Sequence, residues 1–506
     1  MEAKKLLTLA LTGLLAGGCL MVPALAEDAD GQSSGNPATY TIPARVKRIE
    51  DYAFAGDTTL ERVKIPDGVT EIGDYAFSGC TNLQEIELPD GLTKIGNHAF
   101  DGCTALVRLG DMNQLESIGE YAFSGCEALE SIGDMPKLQT IGNYAFAEQT
   151  VTDEDSGTST TVSCKSLKTV GNLDSVTRIG SEAFSGCREL ESIGALPNVT
   201  RIAFGAFRNC EKLKKVEGLG KLTAINRNTF TGCTSLKSIG NLPKVTSIGE
   251  RAFRGCSALT SVGDLSNVTS IGNSAFSGCS ALASVGNLSN VTSIGDSAFA
   301  GCASLESIGN LQNVKSIGES AFGLYGYYDE NDKYQIIYCT SLKSIGDMPK
   351  LETIGASAFS CCSSLASVGD LSSVTSIGEY AFDGCSLLVS VGDLSSVTSI
   401  GNSAFSGCSS LASIGDLPNV TSIGDSVFYN CSSLASIGDL PNVTSIGEWA
   451  FSGCSSLASI GDLRSVTEIG NYAFYECPSL TLRVLPNSYA EDYAKSNSIP
   501  YTYIED

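Results

Sequence analysis

Ser235-Leu236-Lys237-Ser238-Ile239-Gly240-Asn241-Leu242-Pro243-Lys244-Val245-Thr246-Ser247-Ile248-Gly249-Glu250-Arg251-Ala252-Phe253-Arg254-Gly255-Cys256 carries apolar side chains at Leu236, Ile239, Leu242, Val245, Ile248, Phe253 and Cys256. That spacing sustains neither the 3.6-residue period of a helix nor a long alternation of two. It fits a chain that turns every few residues and aims each short segment's apolar side at a common axis. Leu236–Ile239 and Val245–Ile248 read as short strands, each followed by a glycine turn signal. Glu250, replaced by Asn, Asp or Ser in sister units, precedes x-Ala-Phe as a helix N-cap does, so one helical turn is expected there.

The unit recurs. Phe stands at 54, 77, 100, 123 and 146, then at 184, 207, 230, 253, 276, 299 and 322, then at 359, 382, 405, 428, 451 and 474. Each step within a run is 23 residues; the two exceptions, 38 and 37, are one unit plus 15 and one unit plus 14. Eighteen units in one register predict a repeat solenoid, because a single unit cannot bury seven apolar side chains but stacked units bury them against one another. Rungs at an inter-strand spacing of about 4.8 Å give a stack of roughly 85 Å.

One early unit, Leu83-Gln84-Glu85-Ile86-Glu87-Leu88-Pro89-Asp90-Gly91-Leu92-Thr93-Lys94-Ile95-Gly96-Asn97-His98-Ala99-Phe100-Asp101-Gly102-Cys103, resembles the BspA-like leucine-rich repeats of bacterial surface proteins throughout its length. The resemblance runs from about residue 40 to 480 and implies a right-handed solenoid with roles in adhesion or protein recognition. Most later units carry Ile-Gly-Asp-Leu in place of Ile-x-Leu-Pro, which shifts the first turn.

Residues 1–26 read as a signal peptide: Lys4 and Lys5 begin it, Leu6 to Leu15 form its apolar run, and Ala24-Leu25-Ala26 is a small-x-small cleavage site. Ala16-Gly17-Gly18-Cys19 offers a lipoprotein box as the less favoured alternative. Polar residues 27–38 read as a flexible leader, 39–480 as the solenoid and 481–506 as a terminal cap over its last rung. No later stretch is apolar enough to span a bilayer. The net charge of −24 argues against nucleic acid and anionic membranes, and leaves basic or neutral partners such as glycans.

Chemistry has few footholds. Seventeen of the 19 cysteines occupy one repeat position, from Cys80 to Cys477. Parallel Cβ vectors about 4.8 Å apart suit buried thiols better than disulfides, which want about 3.8 Å. An even line also lacks the paired clusters of zinc sites. The single histidine, His98, stands where other units have Tyr, Ser or Arg, so no catalytic residue is assigned and no enzyme is expected. A column of Asp and Asn that includes Asp264, Asn287, Asp370 and Asp416 reads as Asx turns rather than calcium ligands, since one carboxylate per rung is sparse for that ion. No metal or other cofactor is expected. Asn-Val-Thr sequons begin at Asn198, Asn267, Asn290, Asn419 and Asn442, all at one repeat position. Tyr52, Tyr75, His98, Tyr121 and Tyr144, with Tyr380, Trp449 and Tyr472 later, align two residues before the Phe; such an edge could stack on a sugar or cover the flank of the turn.

The insertions, near 147–163 and 323–338, read as β-hairpins with acidic turns leaving the same edge. The second contains Tyr325, Tyr327, Tyr328, Tyr334 and Tyr338, and these are the candidate binding residues. Tyr325 and Tyr327 should share a face and Tyr328 the other. The reading is a secreted or cell-surface binding or adhesion protein, monomeric, with a host or microbial surface protein or glycan as partner. The alternative is a structural coat or self-assembling scaffold without a specific ligand.

Overall fold

The computed structural model describes residues 39–152, 159–329 and 331–504, with the side chains of 149–152 and 159–160 excepted. The expected signal peptide, Cys19 and the leader lie outside the described residues.

Each 23-residue unit makes one turn of a β-solenoid. Leu236, Ile239, Leu242, Val245, Ile248, Phe253 and Cys256 all have at most 2% of their surface exposed, so the seven positions do face a common axis. Two parallel sheets run along the stack in registers one unit apart, as in Val63↔Ile86 of the first and Ile72↔Ile95 of the second. Units with Ile-x-Leu-Pro give the first sheet three-residue strands such as Arg62–Lys64 and Glu85–Glu87. Where Ile-Gly-Asx-Leu takes over, the chain turns at the glycine, left-handed at Gly240 and Gly415. The first ladder then shortens to two-residue strands, as at Ser131–Ile132 and Thr169–Val170, and from Lys215↔Ser238 onward to single bridges such as Ser413↔Ser436.

The third side corrects an expectation. No helical turn precedes the Phe. Arg251 (φ 54°) and Gly255 (φ 75°) are left-handed, and N–H groups alternate in direction between them. Ala252, Arg254 and Cys256 close tight turns onto Gly249, Arg251 and Phe253, while Arg251, Phe253 and Gly255 donate to Asn273, Ala275 and Ser277 of the next rung at 2.8–2.9 Å. A helix would direct every N–H backward along its own axis and leave this edge unbonded to its neighbour. Beside the sheets the bonds run both ways, from the later rung to the earlier in Thr269 N to Thr246 O (2.8 Å) and from the earlier to the later in Ile65 N to Glu87 O (3.0 Å).

The presumed N-cap position also works between rungs. Asp74 accepts from Asn97 N at 2.8 Å, Asn97 from Glu120 N at 2.8 Å, and Asp296 from Glu319 N at 2.9 Å. The glycine before this position is needed for close approach: a Cβ on Gly96 would sit 2.5 Å from Asp74 Oδ1 and 2.7 Å from Gly73 C. Ala203 and Asn226 stand at that glycine position in successive rungs; Arg201–Ile202 still pairs with Arg178–Ile179, and the second sheet is interrupted at the next step, between Arg201–Ile202 and Ala224–Ile225. The Asn226 side-chain amide, in place of its N–H, donates to Ile202 O at 2.5 Å. The sheet is interrupted again between Ser399–Ile400 and Ser422–Ile423, for which the local sequence offers no physical reason.

The Phe rings form a column, stacked at 5.0–5.6 Å from Phe54 to Phe474, slightly wider than the ~4.8 Å of paired strands. Over the last rung lie the parallel strands Leu482–Val484 and Tyr501–Tyr503 and the helix Tyr489–Ser496, capped by Ser488. Ala490 and Ala494 are buried, and Tyr493 meets Phe474 edge-on at 6.1 Å. No helix among the described residues is long and apolar enough to cross a membrane.

Candidate binding surface

A groove without side chains prepares the site. Gly255, Gly278 and Gly301, each just before a ladder cysteine, adopt φ of 75°, 76° and 69°, a conformation that favours glycine. Their stacked backbones leave an open strip along the turn edge.

The second insertion lies on that strip. Strands Tyr325–Tyr328 and Tyr334–Ile337 pair antiparallel with Tyr325 opposite Ile337 and Tyr328 opposite Tyr334. Asp329 organises the turn by accepting N–H groups of Asn331 (2.9 Å) and Lys333 (3.1 Å) and the Gln335 amide (2.8 Å), which hold its carboxyl below the usual range. On the inner face Tyr325 lies over Gly255, Gly278 and Gly301, close enough that a Cβ on Gly278 would meet its Cε1 at 2.6 Å. The Arg254 guanidinium covers the ring at 5.6 Å. Burial raises the Tyr325 phenol above its ordinary value, against the pull of Arg254. Tyr327 stacks on Tyr325 at 5.7 Å.

The outer face is different. Leu324, Tyr328, Tyr334 and Ile336 are 46%, 70%, 52% and 46% exposed. Tyr334 folds across Gly326 and tilts against Tyr328 at 5.2 Å. Of the five candidate tyrosines, then, Tyr328 and Tyr334 face solvent, Tyr325 is an anchor, Tyr327 stands at the border, and Tyr338 is half-buried beside the ladder. Leu324, Ile336, Arg254 and the glycine strip escaped sequence reasoning; the recurring Gly-Cys pair was the signal for the strip. The first hairpin pairs Gln149–Thr152 with Ser159–Val162, and Val162 reaches the same strip, 3.2 Å from where a Cβ on Gly125 would sit. Its acidic turn, 153–158, lies outside the described residues.

The other candidates resolve into structure. Tyr52, Tyr75, His98, Tyr121 and Tyr144 stack on one another at 4.4–4.8 Å, so apart from the two end faces, on Tyr52 and Tyr144, their ring faces are taken and offer a sugar only edges. His98 Nδ1 contacts Asp101 Oδ2 at 2.9 Å, and burial raises the Asp101 carboxyl. Ladder thiols donate to the Phe carbonyl of the preceding rung, as Cys279 to Phe253 at 3.1 Å. Burial pushes them up, to about 12 at Cys164 and Cys339. Asp264 and Asp370 accept the N–H two residues on, as Asx turns do, whereas Asp134 and Asp416 of the same column accept from Asn172 and Asp439 in the next rung. Sequon side chains brace the preceding turn, Asn198 to Asp174 O and Asn442 to Pro418 O at 2.7 Å. Among the described residues no group of three His, Cys, Asp or Glu is placed to hold a metal.

The sequence matches the family described as BspA type Leucine rich repeat region (6 copies) over residues 33–152, 157–283, 248–389, 330–458 and 389–499. No protein in a search of curated proteins matches it. Similar solved structures include a leucine-rich repeat protein from Bacteroides ovatus, 25% identical over 94% of each chain with a TM-score of 0.43. A leucine rich cell surface protein from Faecalibacterium prausnitzii is 23% identical over 91% of each chain, TM-score 0.34. The leucine rich repeat protein of T. pallidum is 31% identical over 35% of this chain and 77% of its own, TM-score 0.30.

Proposed function

The chain belongs to the BspA-type leucine-rich-repeat family, and on that premise we propose that it is an exported surface protein that binds a protein or glycan partner through the outer face of the hairpin at 324–338, without turnover. The carrying observation is the division of labour within that hairpin. A two-stranded hairpin is marginal alone; Tyr325 on the glycine strip supplies its attachment, which leaves Tyr328, Tyr334, Leu324 and Ile336 46–70% exposed, Tyr334 packing within the hairpin across Gly326 and against Tyr328. Tyr offers large contact area at low entropy cost together with a hydroxyl, which suits protein and glycan surfaces. Export rests on the reading of residues 1–26.

Two observations weigh against the other readings. His98 is sandwiched between Tyr75 and Tyr121 and bonded to Asp101, which is poor placement for a general base. The helix and strands over the last rung oppose end-on stacking into a coat.

The test uses two variants of the full chain against an array of host and microbial surface glycoproteins and glycans. Tyr328→Ala with Tyr334→Ala should keep the melting temperature within about 2 °C, the scale of an exposed substitution, yet lose the binding the parent shows. Replacing 324–338 by a short Ser-Gly link should lose it too. Undiminished binding by both variants would refute the proposal.

A further inference from the structure

Fifteen of the 32 Lys and Arg side chains, but only seven of the 56 Asp and Glu, fall between residues 165 and 254. A local excess of eight positive charges thus sits in a chain of net charge −24, whose remainder carries −32. At physiological salt charges are screened beyond about 8 Å; rungs here are spaced as Phe184 and Phe207 are, at 5.4 Å, and the band spans about four of them, so its centre lies about two rungs, beyond that length, from the acidic flanks. The acidic flanks therefore do not cancel the field at the centre of this band.

On the second-sheet face the excess is unpaired. Elsewhere on this column the chain alternates sign: Glu71 lies between Arg48 (3.2 Å) and Lys94 (2.8 Å) and pairs with both. Four rungs later Arg178 lies directly opposite Arg201 in the parallel ladder, both exposed, and among the described residues neither makes an ion pair. Like charges placed opposite one another oppose folding. In the turn that leads into this sheet, Lys221 and Lys244 occupy one repeat position in successive rungs, both exposed; Lys221 Nζ donates to the Asn198 side-chain oxygen at 2.5 Å. Asp174, the acid in the turn before Arg178, is held by the Asn172 amide at 3.0 Å.

We propose that this face, with Arg178, Arg201, Lys221 and Lys244 as its cations, binds a linear anionic glycan, carboxylated or sulfated, that crosses the solenoid between its acidic flanks. The transverse course follows from the charge: a polyanion laid along the axis would meet net negative rungs on either side. A glycan is favoured over single-stranded nucleic acid because the band has no tyrosine or tryptophan on which bases stack, and its one Phe outside the core, Phe204, is half-buried beneath the Arg227 guanidinium at 5.9 Å. The Thr hydroxyls beside the cations form their own ladder, Thr200 to Thr177 O at 3.2 Å, and present oxygen to sugar hydroxyls. This inference stands apart from the hairpin, and a chain lacking 324–338 should keep the activity.

The experiment measures binding of the full chain to a heparin oligosaccharide, polygalacturonate, neutral dextran and poly(U), at two salt concentrations, with sedimentation alongside. One of the two anionic glycans should bind, with affinity that falls as salt rises. Arg178→Gln, Arg201→Gln, Lys221→Gln and Lys244→Gln together should weaken it at least ten-fold. A control that removes four cations paired elsewhere, Lys64, Lys94, Lys343 and Arg464, each to Gln, should change it less than about two-fold, with both variants retaining the parental circular dichroism. Failure of both glycans to bind, equal loss in the control, preference for poly(U), or self-association abolished by the first variant would each overturn the proposal.

Discussion

Phe276→Ala probes what holds the stack together. Phe276 is fully buried, with Phe253 on one face at 5.2 Å and Phe299 on the other at 5.3 Å. Truncating a buried Phe costs about 3–5 kcal/mol, and a stacked ring pair is worth about 0.5–1.5 kcal/mol beyond area burial. With two such pairs lost, the substitution belongs at the upper end of that range, about 5 kcal/mol. Phe54 is the comparison: half-buried, with one stacked neighbour, Phe77 at 5.0 Å, and Tyr40 edge-on at 5.7 Å, it should cost roughly half as much. Because each rung touches only its neighbours, the Phe276 loss lands on two interfaces and should divide the solenoid. Urea unfolding should acquire a second transition, and hydrogen exchange should accelerate first between about residues 253 and 299. A cost below about 1.5 kcal/mol, or acceleration spread evenly over all rungs, would refute the reasoning.

Asn226→Gly should restore the interrupted sheet by letting residue 226 donate its own N–H to Ile202 O. The gain of one hydrogen bond, about 1 kcal/mol, is offset by the glycine's backbone entropy of about 0.5–1 kcal/mol, so the melting temperature stays nearly constant while exchange at 226 slows. Glu491 is held at about 2, below its ordinary 4.5, by Lys495 Nζ (2.8 Å), Tyr503 OH (2.8 Å) and Asn487 N–H (2.6 Å). Its folded value is depressed, so its contribution is present above pH 4.5 and lost as pH falls toward 2; exchange across 482–504 should rise in that window, and Glu491→Gln should flatten the dependence. The ladder thiols should resist a thiol reagent in the native chain and react once it is denatured; a denatured chain with no reactive thiol would show them consumed by disulfides or metal.

The repeat period, the seven inward positions and the two hairpins were legible in the sequence, because burial around a common axis repeats with the residues that produce it. Each copy from Leu83–Cys103 onward restates the same pattern, so one reading is checked many times. Identical units cannot reveal whether a polar group bonds within its own rung or to the next, since both arrangements have the same period. That is why Asp74 and Asn97 read as helix caps although they serve the following rung, and why the left-handed turn at Arg251 read as helix. The aromatic column at Tyr52 to Tyr144 offered a sugar platform or a cover for the turn until stacking closed all but its two end faces. Contacts between segments far apart in sequence decided the rest: Tyr325 anchors the hairpin on Gly255, 70 residues earlier, and only that seat determines which tyrosines meet solvent. Charge followed the same division. That Arg178 and Arg201 lie opposite one another follows from their separation of one 23-residue unit, but whether an exposed cation reaches an acid, as Lys94 reaches Glu71 at 2.8 Å, depends on how side chains are placed between rungs, and only packing sets that.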